Sequence, residues 1–308
     1  MNYTDRNGTE YTQDSFQDKF LKGLYENPLG RGMVKILVQP WISKLAGGFL
    51  DTRFSKCLIA PFVKSHHIDL NICEKQKFSS YNDFFTRKLK EGARPVCQQD
   101  DALISPCDSR LSVYKINEKK DFLIKNTYYT LNSLLRDSKL SEKYKDGYIC
   151  VFRLTVEDYH RYCYVDDGQR SHNRRIDGVL HTVNPVANDV RPIYKENTRE
   201  YAVLRSQHFG DVLMMEVGAL IVGKIVNNDG KEPKETGYDP VSHKSPVMVT
   251  RGQERGHFEF GGSTVILLLE KDKVEIDTDI LENTKREFET IVKQGERIGT
   301  ATGIEKNE

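Results

Sequence analysis

The run Gly256-His257-Phe258-Glu259-Phe260-Gly261-Gly262-Ser263-Thr264-Val265-Ile266-Leu267-Leu268-Leu269 sets two glycines directly before a serine, between two stretches that read as strands. Glycine permits a sharp backbone turn and close approach to a carbonyl, so a serine held there has the makings of a nucleophile. The pattern is not the G-x-S-x-G elbow of hydrolases, because Val265 stands where the last glycine would be. A plain hairpin turn accounts for the same residues, so Gly-Gly-Ser alone is a weak signal. Three other stretches carry groups that could serve such a serine. His160, in Thr155-Val156-Glu157-Asp158-Tyr159-His160-Arg161-Tyr162-Cys163-Tyr164, follows a strand and suits acid–base work near neutral pH. Asp108, in Ser105-Pro106-Cys107-Asp108-Ser109-Arg110, lies at a turn before a strand, where it either orients an imidazole or caps the turn. His181, in Leu180-His181-Thr182-Val183-Asn184-Pro185, is either a second base or an ordinary partly buried residue. The chain has eight histidines, so each candidate taken singly carries little weight.

The elements that must position these groups follow from periodicity. Met33, Ile36, Leu37, Trp41, Leu45 and Phe49 recur at roughly helical spacing, and Pro40 and the Gly47-Gly48 pair are expected to break the run into short helices. Ser79 or Ser80 caps a second helical stretch over 79–90, with Asp83 in its first turn. Strands are expected at 110–116, 148–156, 178–182, 201–205, 212–217, 219–226, 257–260, 264–269 and 274–276, with a helix near 131–144. Residues 1–18 read as a loosely held polar lead. The expected architecture is α+β: a helical N-terminal region over 1–95, and a strand-rich catalytic body over 96–308.

Composition removes several classes. A chain of 308 residues builds a core without disulfides or metal. The longest apolar runs are five residues, such as Val265 to Leu269, far short of the roughly 20 a spanning helix needs. The polar N-terminus lacks the basic start and apolar core of an export signal. Lys plus Arg is 46 against 45 for Asp plus Glu, and a net charge of +1 does not suit a nucleic-acid binder. Six cysteines form no CxxC pair, so structural zinc is not expected and the thiols read as reduced. Between Arg31 and Ser65 stand Arg31, Lys35, Lys44, Arg53, Lys56 and Lys64 against one acid, Asp51. Basic residues beside an apolar stripe suit the interface of an anionic bilayer, and equally a helical cap with a solvated edge.

Together the motifs resemble the pyruvoyl-dependent phosphatidylserine decarboxylase proenzymes of prokaryotic type. The resemblance rests on SYNDFFTRKLKEGARP (80–95), SPCDSRL (105–111), DYHRYCYVDDG (158–168), HTVNP (181–185), VGALIVGKI (217–225) and RGQERGHFEFGGSTVILL (251–268), in that order, across most of the chain. It implies self-cleavage between Gly262 and Ser263 into a larger chain, 1–262, and a smaller one, 263–308, that stay together. It implies that Ser263 becomes a covalent pyruvoyl group, with no metal, and that phosphatidylserine in an anionic membrane is decarboxylated to phosphatidylethanolamine through a pyruvoyl imine. Asp108 and a histidine would form a relay that activates Ser263. His160 holds the first histidine of the family's YHR motif and would also donate the proton after carbon dioxide leaves.

The chain departs from the common YHRxH pattern, because Cys163 holds the place of the second histidine. A thiol cannot bridge two partners as an imidazole does. Either His160 does both jobs or His181 enters from the next strand. Arg161 either meets substrate phosphate or braces the motif. A lipid substrate makes the segment 31–65 the expected docking surface, with Phe49, Phe54 and Phe62 at the headgroup boundary. The implied setting is peripheral, on the cytoplasmic side of the cell membrane, and a homodimer is compatible with it. The competing readings are a pyruvoyl decarboxylase of a soluble amino acid, a serine hydrolase using Ser263, His160 and Asp108, and a non-enzymatic membrane adaptor.

Overall fold

The strand Ser263–Leu269 runs STVILLL, and all seven residues are buried. Such a continuous apolar run needs cover on both faces. Val265, Leu267 and Leu269 pack into one core with Leu111 and Phe152, while Ile266 and Leu268 pack into another with Val151, Val203 and Met215. The strand is also paired on both edges, antiparallel to Tyr148–Leu154 and to Asp211–Val217. It is therefore the centre of the molecule. The computed structural model describes residues 2–12, 23–25, 27–124, 127–220, 224–228, 247–259 and 261–303.

Among the described residues the large sheet has eleven strands. From one edge it runs Val247–Val249, Gly168–Arg170, Arg199–Ser206, Asp211–Val217, Ser263–Leu269, Tyr148–Leu154, Ser109–Lys115, Glu289–Val292, Asn2–Thr4 and Glu10–Thr12, with Arg174–Ile176 paired to Arg199–Ser206. Pairing is antiparallel except between Asn2–Thr4 and Glu289–Val292. A small sheet sets Glu254–Glu259 between Lys224–Asn227 and Arg161–Cys163. Another small sheet joins Val274–Ile276, Arg297–Ala301 and Ala102–Ile104. The structure is thus mixed α+β with a strand-rich body.

Helices concentrate before residue 86: Pro28–Leu37, Pro40–Leu50, the 3-10 turn Arg53–Leu58, Ile59–Ser65 and Tyr81–Phe85. Pro40 starts a helix, where its missing N–H costs nothing. Along that helix Trp41, Leu45 and Phe49 fall four residues apart on one exposed face, while Ser43 and Gly47 are buried on the other. No helix among the described residues is long and apolar enough to cross a membrane.

Several expectations change. Residues 2–12 of the polar lead form two strands on the edge of the large sheet, because backbone pairing needs no apolar side chains; positions 13–18 lie outside the described residues. Gly47 and Gly48 do not break their helix. The helix over 79–90 is one short piece, Tyr81–Phe85, with the Ser80 hydroxyl accepting from Asp83 N. The helix near 131–144 is two, Leu131–Leu135 and Ser138–Lys143, divided where Arg136 turns left-handed at φ +51°. The stretch 178–182 makes a single bridge, Val179 to Asn197, instead of a strand. Of 219–226, residues 219 and 220 belong to no strand, 221–223 lie outside the described residues, and Lys224 begins the strand Lys224–Asn227.

Candidate active site

The Gly262–Ser263 bond lies where the chain passes from a small sheet into the large one. The strand Glu254–Glu259 is the middle strand of the small sheet and its last in chain order, Gly261 turns at φ +75°, and Ser263 is the first residue of the central strand. That φ lies in the left-handed region, which a residue with a Cβ adopts at a cost. Ser263 pairs with Leu154 and, by the two-residue period, shares the face of Val265 and Leu267. Its side chain is fully buried, and Oγ has no hydrogen-bond partner. A hydroxyl left unsatisfied inside a protein costs about 1–3 kcal/mol. Such an exception calls for a reason.

His160 stands immediately before the Arg161–Cys163 strand of the same small sheet, and its carbonyl accepts from Phe258 N at 2.9 Å. Its ring is 1% exposed, and Phe85 packs with its centroid 4.2 Å away. Nδ1 lies 2.9 Å from the Asp158 carbonyl. A carbonyl only accepts, so Nδ1 carries the proton and Nε2 carries the lone pair. Nε2 is buried and unpartnered. Burial drives the imidazole pKa down to about 3; the nearby Arg87 cation adds to this, and the backbones of Asp158 and Gly261 oppose it. His160 is therefore a neutral imidazole at physiological pH, with its basic nitrogen free and the Gly261 backbone beside it.

The other expected residues are placed differently. Asp108 is 2% exposed, with Arg94 Nε at 2.7 Å from Oδ1 and 3.0 Å from Oδ2. Arg94 Nη2 also bonds Oδ2, and Gln294 N donates to Oδ1 at 2.9 Å. Neither His160 nor His181 is hydrogen-bonded to it. His181 has both ring nitrogens engaged, Nδ1 with Tyr25 OH at 3.2 Å and Nε2 with Glu196 at 3.1 Å. It lines a separate cavity of about 720 Å³ with Val34, Lys35 and Val38. The segment that carries it does approach the cleavage point: a Cβ placed on Gly262 would sit 3.5 Å from Val183.

Cys163 is buried, and burial pushes its thiol up to about 12, so it stays protonated. Arg161 is spent on Glu254 (2.8 Å) and on the carbonyls of Thr86 (2.6 Å) and Arg87 (3.2 Å), which is the bracing role. Arg94, Gln294 and the Asp158 carbonyl were not singled out from sequence. Arg94 had a signal, since it lies within the SYNDFFTRKLKEGARP motif; a backbone carbonyl as the orienting group for His160 has none.

Behind the site, Arg255 and Glu216 form a fully buried pair, Nε to Oε1 at 2.8 Å, that ties strand Glu254–Glu259 to strand Asp211–Val217. Glu216 in turn pairs with Val265 across the sheet. The two strands entering and leaving the Gly261 turn are thus fixed to one another by charge and by backbone.

Known proteins match the sequence along nearly the whole chain. The sequence pattern of the phosphatidylserine decarboxylase family matches residues 81–300, which include the turn, the histidine and the central strand. Phosphatidylserine decarboxylase proenzyme 2 of Clostridium acetobutylicum is 42% identical over 290 residues, covering 94% of both chains. A phosphatidylserine decarboxylase proenzyme of Clostridium botulinum is 41% identical over 297 residues, covering 94% of this chain and 96% of its own. One from Desulfitobacterium hafniense is 39% identical over 305 residues, covering 97% and 98%. With a glycine turn, a buried serine and a neutral histidine inside the matched span, the chain belongs to the phosphatidylserine decarboxylase family.

Proposed function

We propose that the chain is a proenzyme that cuts itself at Gly262–Ser263 and then decarboxylates phosphatidylserine to phosphatidylethanolamine at a membrane surface. The observation that carries this reading is the pair of buried, unpartnered atoms, Ser263 Oγ, two residues past the Gly261 turn, and His160 Nε2, on a ring beside the Gly261 backbone. His160 Nε2 takes the hydroxyl proton as Oγ attacks the Gly262 carbonyl carbon. An imidazolium this deeply buried is a strong acid, so it passes the proton on to the amide nitrogen as the C–N bond breaks. The peptide becomes an ester with no net change in protonation. Removal of the Ser263 Cα proton then expels the Gly262 carboxylate, and the new chain end takes up water and releases ammonia.

A pyruvoyl group formed from Ser263 supplies the electron sink for loss of carbon dioxide, so the reaction calls for no metal. The residues present fit that group: the position is buried and anchored on a central strand, and a neutral imidazole lies beside the backbone of Gly261, two residues before it. The strand holds the smaller chain, 263–308, in the sheet after cleavage. His160 Nε2 is the proton carrier in this reading, on a ring oriented by the Asp158 carbonyl. Asp108 acts at one remove, fixing Arg94 and the 293–294 turn. His181 is a positioning residue for the 181–183 segment.

Membrane contact is assigned to the first helices. Met33, Ile36, Trp41, Leu45, Phe49, Phe54 and Leu58 are exposed large apolar residues, with Phe54 at 83%. Exposed Lys35, Lys44, Arg53, Lys56 and Lys64 flank them. That combination favours an anionic lipid surface. Phe62 does not join them; it faces inward against His66, Tyr81 and Phe84. The test is release of carbon dioxide from phosphatidylserine vesicles and from free serine by the purified protein. Turnover of the lipid alone supports the reading, and turnover of free serine at an equal rate contradicts it.

A further inference from the structure

A polar cavity of about 190 Å³ opens beside the His160 loop, lined among others by His66, Arg87, Arg94, Asp108, Asp158 and Lys293. Arg87 is 5% exposed. Its Nη2 donates to the carbonyls of Glu157 (3.1 Å) and Asp158 (3.4 Å), and Phe84 lies 5.1 Å from Cζ. Its Nη1 is buried with no hydrogen-bond partner. Every acid around the cavity is committed elsewhere. Asp108 is held by Arg94, Glu157 and Asp158 by Arg110, and Asp69 by Asn71 N. Lys293 reaches only to 3.8 Å from Asp108. A buried guanidinium without a carboxylate is costly unless something anionic joins it, and burial indeed lowers its pKa.

The location suits a headgroup. Arg87 is bonded to the two carbonyls that precede Tyr159-His160, so an anion on it lies close to the proposed proton carrier. The exposed lining residues His66, His67 and Asp69 directly follow helix Ile59–Ser65, which continues from the turn Arg53–Leu58 that carries the exposed Phe54 and Leu58. A lipid resting on those helices would present its polar end there.

We propose that Arg87 binds the phosphodiester of the lipid substrate, a role that rests on the decarboxylase reading above. The serine carboxylate is the less fitting anion. Its charge disappears as carbon dioxide leaves, so a guanidinium bound to it would stabilise the ground state and slow the reaction. The phosphodiester keeps its charge from substrate to product, so binding it lowers KM and leaves kcat nearly untouched.

The test uses processed full-length protein and soluble dihexanoylphosphatidylethanol, which has the phosphodiester but neither amine nor carboxylate. Its neutral methyl phosphotriester is the control, and calorimetry gives both affinities. Unaltered protein should bind the diester about 10- to 100-fold more tightly than the triester, the range of a charge-assisted hydrogen bond. Arg87→Gln should bind the two alike, and Arg87→Lys should fall between. Equal affinities in unaltered protein overturn the proposal, and that comparison stands even if Arg87→Gln does not fold. With phosphatidylserine, Arg87→Gln should raise KM by the same factor. A fall in kcat at unchanged KM would assign Arg87 to the carboxylate and likewise overturn it. Diester selectivity without any decarboxylation would preserve the anion site and reject the catalytic reading instead.

Discussion

With His160 Nε2 as the proposed processing base, its depressed basicity should make self-cleavage nearly independent of pH where an ordinary histidine would respond steeply. The proposed step needs the lone pair on Nε2. An imidazole at the usual 6.5 is about 97% neutral at pH 8 and about 3% neutral at pH 5, so a rate that depends on it falls about 30-fold. At about 3, His160 is still about 99% neutral at pH 5, and the rate should change by a few per cent. Stability moves in the opposite sense. The folded pKa lies below the unfolded value, so this contribution is complete above pH 6.5 and is lost as pH falls toward 3. The full difference is on the order of 5 kcal/mol, of which about 2 kcal/mol is gone by pH 5. Folding must therefore be followed separately. A suitable assay makes the chain in a cell-free reaction with labelled leucine and moves it on ice into buffers from pH 5 to 8. The smaller chain is then timed on denaturing gels, with circular dichroism reporting the folded fraction. A flat profile is expected for folded protein. A 30-fold fall centred near 6.5, with the fold intact, would refute His160 as the buried base.

Other outcomes follow from the same geometry. His160→Gln should slow cleavage at least 100-fold, within the usual range for general-base loss, whereas His181→Gln should lower stability by about 1–3 kcal/mol through its Tyr25 and Glu196 contacts and leave cleavage within threefold; gels and thermal melts separate the two. Ser263→Ala should yield one chain of 308 residues, inactive toward phosphatidylserine, and as stable as the unprocessed His160→Gln protein or more so by about 1 kcal/mol, because an unsatisfied hydroxyl is removed. Glu216→Gln leaves Arg255 charged and buried, and should cost about 3–5 kcal/mol in urea unfolding. Replacing Lys35, Lys44 and Lys56 by Gln should weaken binding to anionic vesicles at low salt by about 100-fold, at about 1 kcal/mol per charge, with cleavage unaffected; unchanged sedimentation with vesicles would reject the docking surface.

The central strand was legible because β-branched and leucine residues run without interruption after Thr264, a pattern that both-sided burial requires. The glycine turn and the histidine before Arg161 were legible for a related reason: each is a residue type that local backbone or proton chemistry demands. Other features depend on partners distant in sequence. Asn2 to Thr4 join the sheet through their backbones, which leaves no apolar signature. Asp108 and His181 looked alike as candidates, yet Arg94 occupies one and Tyr25 with Glu196 occupies the other. Phe62 is expected at the headgroup boundary with Phe49 and Phe54 but turns inward, because Phe84 and Tyr81 offer it an aromatic wall.

The most direct measurement of the central claim is the intact mass of active protein under denaturing conditions, before and after treatment with phosphatidylserine and cyanoborohydride. Two chains are predicted, ending at Gly262 and beginning at position 263, with the smaller one lighter by one ammonia than its sequence and gaining the lipid on reduction. A fully active preparation consisting of one unbroken chain with an unmodified Ser263 would contradict the account.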